Sequence, residues 1–175
     1  MAKRIAARPE QLSVAHVADI CSVCDCISDD FIDFTTHWKH NEFYFYDSPE
    51  IIRAICKSDD ITTSDLQFFF YRAHDLQFDA SSKQWEEYFF DLSFVENVES
   101  PHSIKRVGFD VVTYSLQNAP ECSPLSCNYL ASKMRVNEHC LIDKLDDAVK
   151  HLENGLFDNS EPGPFRIIEV NAYSG

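Results

Sequence analysis

Four apolar residues near the C-terminus, Leu145, Ala148, Val149 and Leu152, stand at i, i+3, i+4 and i+7 and constrain the fold more than any other feature of the chain. That spacing places all four on one face of a helix, and such a stripe is stable in water only when a flat apolar surface covers it. Asp143 opens the segment and Gly155 follows it, so a helix is expected over 143–154. The surface is supplied in sequence by Phe165 to Tyr173, a stretch rich in Ile and Val that follows the turn Glu161-Pro162-Gly163-Pro164 and reads as a strand.

The same logic runs upstream. Ser48 and Pro49 open a second one-sided helix over 49–58 carrying Ile51, Ile52, Ile55 and Cys56. Runs at 42–46, 66–72 and 107–114 are dense in aromatic and β-branched residues and read as further strands, with an additional strand at 136–142. Leu12, Val14, Val17, Cys21 and Cys24 fit helical spacing over 10–24, and Ser28-Asp29-Asp30 caps a short helix after it. Ser81-Ser82-Lys83-Gln84 matches a capping box before Trp85, Tyr88 and Phe89, so a helix is expected over 82–90, and Ser126 is expected to cap another through 134. The tetrapeptide at Asp65 to Phe68 recurs at Asp75 to Phe78, an offset too short for a structural repeat. The sum is an α+β fold over 1–175, one domain with a mixed or antiparallel sheet and helices packed on it, preceded by a flexible basic terminus at 1–8.

Composition bounds the function. Twenty-nine acidic residues against 15 Lys plus Arg give a formal net charge of -14, which repels phosphate backbones and anionic membrane surfaces, so neither direct nucleic-acid binding nor membrane binding is expected. No apolar run reaches membrane-spanning length and no secretory leader is evident, which points to the cytoplasm. Seven cysteines, an odd number, then read as mostly reduced and mostly buried thiols.

Several motifs carry candidate chemistry. Cys21-Ser22-Val23-Cys24-Asp25-Cys26 contains a C-x-x-C, although Cys21 and Cys24 also fit the apolar stripe as small core residues. Cys122, Cys127, His139 and Cys140 lie close in sequence and form a candidate zinc set whose spacing matches no standard finger. With Ser126 as a cap, Cys127 would sit at a helix N-terminus, where the dipole favours the thiolate, and His139 would serve as its base. His37 and His40 stand three apart before the strand at 42–46 and read as exposed loop residues. A chain with 4 glycines offers no phosphate-cradling loop and no nucleophile elbow.

Two function classes follow. The first is a non-catalytic domain of inhibitor or immunity type that presents carboxylates and aromatic anchors to another protein with a basic surface, and it needs no cofactor. The second is a small enzyme using Cys127 and His139, or a zinc ion held by Cys122, Cys127, His139 and Cys140.

Overall fold

The strand-forming runs pair into one antiparallel sheet. A computed structural model describes residues 2–4, 6–7, 12, 14–23, 46, 48–64, 66–88, 99–114 and 121–174. In chain order its strands are β1 (Ala2–Arg4), β2 (Ala6–Ala7), β3 (Asp19–Ile20), β4 (Leu66–Asp79), β5 (Gln84–Glu87), β6 (Ile104–Thr113) and β7 (Phe165–Tyr173), and its helices are α1 (Pro49–Ser58), α2 (Pro124–Cys127) and α3 (Leu145–Glu153). The main sheet runs β1-β4-β7-β6, with β5 added to the end of β4, and a separate ribbon joins β2 to β3. Every pairing among the described residues is antiparallel, and with its helices the molecule is a single α+β domain.

β7 lies between β4 and β6 and is buried on both faces, which explains its run of Phe165, Ile167, Ile168 and Val170. Phe165 and Ile167 pack with Phe109, Val111, Ala148, Leu152 and Phe157 on the α3 side. Ile168 and Val170 pack with Phe69, Val112, Tyr114, Cys21 and Leu141 on the other. Truncating one such residue to alanine costs about 2–5 kcal/mol, so α3 is held mainly by Ala148 and Leu152 against this sheet. α1 forms as its residues dictate: Ser48 Oγ accepts from the Ile51 amide at 3.4 Å, proline stands in the first turn, and Ile52, Ile55 and Cys56 face Leu66 and Phe68.

Four sequence expectations are corrected. From Val14 onward the segment expected to be helical over 10–24 is not: Val14 to Val23 passes through a turn and β3, and the amides of Ala18, Asp19 and Cys21 donate to the carbonyls of Glu138 and His139. The helical spacing there is core contact made by an irregular segment, with Val14, Val17 and Ile20 all in the main cluster. The segment at 82–90 begins instead with a hairpin, because Asp79 Oδ1 accepts from the amides of Ser81 and Ser82 and turns the chain into β5. The strand expected at 136–142 is a loop joined to the sheet by one bridge, Phe109 to Ile142. In the basic terminus, Ala2–Arg4 pairs with β4. The strand at 42–46 except Tyr46, the helix after Ser28, His37, His40, Cys24 and Cys26 lie outside the described residues.

β4 is longer than its sequence suggests and takes in Leu66 to Phe68 and Asp75 to Phe78, the described residues of the two identical tetrapeptides. A register shift against β7 between Ala73 and Gln77 releases the His74 carbonyl, which accepts from Arg166 Nη2 at 2.6 Å. The Arg166 guanidinium stacks 3.8 Å from the Tyr88 ring and 5.4 Å from the Tyr114 ring. Burial lowers the Arg166 pKa, opposed by the two tyrosines and Asp75, and burial raises that of Tyr114.

Candidate functional site

At the edge of β6 away from β7, the chain around β3, the short helix α2 and the loop at 137–141 converge. Gly108 makes this approach possible, because a Cβ there would stand 2.7 Å from Leu141 Cβ. The loop is fixed by one side chain, Asn137, whose Oδ1 accepts from the amides of His139 (2.9 Å) and Leu141 (3.1 Å) while its Nδ2 donates to the Val107 carbonyl at 2.9 Å. Cys140 takes a left-handed backbone at φ 60° within this arrangement.

Beneath the loop lies a buried polar layer. Asp110, fully buried in β6, accepts from the Val23 amide (2.8 Å), from its neighbour Val111 (2.9 Å) and from Ser123 Oγ (2.6 Å). Ser126 Oγ donates to Ser22 Oγ at 3.1 Å, so the β3 segment, β6 and α2 are joined through hydroxyl and carboxylate groups where the core is otherwise apolar.

Above it, partly open to solvent, His139 Nδ1 meets Asp19 Oδ1 at 2.7 Å and the Cys21 thiol donates to the same oxygen at 3.4 Å. Glu138 Oε1 stands 3.6 Å from His139 Nε2. Asp19 and Cys21 share a face because they are two residues apart in extended chain, while Ile20 between them enters the core. The side chains of Asp19 and His139 are 27% and 32% exposed, and Cys21 is 3% exposed, so the thiol forms the inner wall of the cluster.

The four residues singled out in sequence are distributed around this corner. Cys122 is half-buried, its sulfur 3.7 Å from Asn128 Oδ1 and 3.9 Å from Glu161 Oε1. Cys127 ends α2 and lies beside Ser126 Oγ at 3.9 Å; Ser123, not Ser126, precedes the helix, so Cys127 lacks the N-terminal position expected for it. Cys140 is buried and its thiol is pushed up to about 12, first by desolvation and then by Asp110 and Cys127. Among the described residues the one group of His, Cys and carboxylate donors within mutual reach is Asp19, Cys21 and His139, which includes His139 alone of the four. Asp19 was missed, and Cys21 was weighed only as part of a C-x-x-C, because the helical reading of 10–24 hid the two-residue alternation that pairs them.

A second feature stands beside α2. Tyr129 is 45% exposed and holds a left-handed backbone at φ 59°, its carbonyl accepting from the Ser132 amide (3.0 Å) and Ser132 Oγ (2.7 Å). Its sequence neighbour Asn128 donates to Glu161 Oε1 at 2.8 Å.

With the geometry in view, comparison with family models, curated proteins and solved structures finds no match to this chain. No described helix is long and apolar enough to cross a membrane.

Proposed function

We propose that the chain is a binding domain of inhibitor or immunity type that docks another protein through a basic surface on that partner. The observation that carries the reading is Tyr129, a large side chain kept exposed on a left-handed backbone position, next in sequence to Asn128, which binds Glu161. A rigid tyrosine presents contact area at low entropic cost, and tyrosine is among the residues that dominate interface energies. The net charge of -14 supports the same reading, because carboxylates steer a cationic partner and disfavour nucleic acid. Described cations such as Arg53, Arg72 and Lys83 pair with the chain's own Glu50, Glu169 and Asp158, so the charge they present outward is partly neutralised.

The enzymatic alternative has less behind it. His139 Nδ1 is turned to Asp19, and Cys127 closes a four-residue helix where a helix opening was required for activation.

The test is capture from host extract with the wild-type chain, Tyr129→Ala and Glu161→Lys, followed by binding kinetics of the recovered protein. A stoichiometric partner is expected, with association slowing as salt rises and Tyr129→Ala weakening affinity about 30-fold, the scale of a 2 kcal/mol hot spot. A partner bound equally by all three chains and at every salt concentration would contradict the reading.

A further inference from the structure

We infer that Asp19, Cys21 and His139 form a binding site for a divalent transition metal, zinc by the nature of its donors. This goes beyond protein docking and does not depend on it. The three side chains offer oxygen, sulfur and nitrogen atoms that all lie within 4.8 Å of one another. Zinc holds such donors at about 2.0–2.3 Å, so in a tetrahedron they stand roughly 3.3–3.7 Å apart. The Cys21 Sγ to Asp19 Oδ1 separation of 3.4 Å already falls in that range, and the His139 Nδ1 to Asp19 Oδ1 separation of 2.7 Å needs only a small side-chain rotation to open.

The backbone is arranged to keep the donors together. The amides of Ala18 and Asp19 donate to the Glu138 carbonyl at 2.8 and 3.2 Å, and the Cys21 amide donates to the His139 carbonyl at 3.1 Å. Asn137 fixes the loop from the other side. Two segments separated by 120 residues are therefore clamped at the point where their ligating side chains meet. Such preorganisation lowers the entropy lost when an ion binds.

The chemistry of the set selects the ion. A thiolate and an imidazole favour zinc and its neighbours over magnesium or calcium, which take oxygen ligands. One thiolate and one carboxylate together neutralise a divalent charge. Glu138 lies by the remote nitrogen of His139, the place where a ligating histidine usually meets a carboxylate that orients the ring. The partly exposed side of the cluster gives water access to the fourth position of a tetrahedral ion. On binding, the Cys21 proton passes to bulk water, so affinity must fall as the solution is acidified.

The experiment is titration of the full chain, stripped with chelator and kept reduced, with Co2+ and then Zn2+. The expected result is one equivalent of cobalt with sulfur-to-cobalt charge-transfer absorption, displaced by zinc. That absorption disappears in Cys21→Ser, and affinity drops at least about tenfold in Asp19→Asn, His139→Gln and, through ring orientation, Glu138→Gln. These replacements are close to isosteric. Should one fail to fold, broadening of the His139 ring resonances of the wild-type chain by stoichiometric Co2+ answers the same question without a variant. Absence of cobalt binding, or binding that survives His139→Gln but is lost in Cys24→Ser or Cys26→Ser, overturns the assignment.

Discussion

Asp110 shows what a single residue does in this molecule. Its buried carboxylate receives two backbone amides and the Ser123 hydroxyl, and so ties β6 to the β3 segment and to the approach of α2. Asp110→Ala strands those donors away from water and is expected to cost about 3–5 kcal/mol, read as a lowered denaturation midpoint at unchanged slope. A loss below about 1 kcal/mol would mean that water or neighbouring groups replace the carboxylate. Cys140 gives a kinetic counterpart. With its thiol pushed up to about 12 by burial, Cys140 holds little thiolate near neutral pH, so a thiol reagent should modify half-buried Cys122 and Cys127 well before it. Equal rates at all three sites would contradict that environment. At this scale the sequence pointed to His139 and to the cysteines as chemically notable. It gave no sign of Asp19, one acidic residue among 29.

At the scale of elements, legibility followed how locally each one is stabilised. α1 and α3 carry their own apolar stripes, and β7 its own Ile and Val, so these were readable within a residue or two. β5 was not, because Ser81-Ser82-Lys83-Gln84 has the letters of a helix start while Asp79, two residues before it, decides the outcome. Asp79 accepts both serine amides, and Lys83 adopts φ 58°, which turns the chain into a hairpin and lays Trp85 against Phe78. Those amide bonds hold the Asp79 carboxyl below its ordinary value, Ser82 contributing most and Ser81 next. A lowered folded-state value stabilises the turn above the unfolded aspartate pKa, and the contribution fades as pH falls through the folded value. NMR titration should therefore give Asp79 a midpoint below that of a free aspartate, and Asp79→Asn should remove the acid dependence of the β4 to β5 amide shifts. An ordinary midpoint would show that the serine bonds do not persist.

For the whole molecule, the sheet sets what can reach what. β7 and β6 bury both faces, α3 covers one of them, and the segments around β3 and at 137–141 close the edge of β6. The fold class was legible because one-sided helices and β-rich runs leave few other ways to bury apolar surface. The donor cluster was not legible, since His139 and Asp19 are 120 residues apart and only the closed sheet edge brings them together. That edge is the centre of the account, and its most direct test is crystallographic: crystals grown with one equivalent of zinc, with data collected on both sides of the zinc absorption edge. A single anomalous peak bonded to His139 Nδ1, Asp19 and Cys21 is expected. A peak at other residues, or none with the three side chains apart, would contradict it.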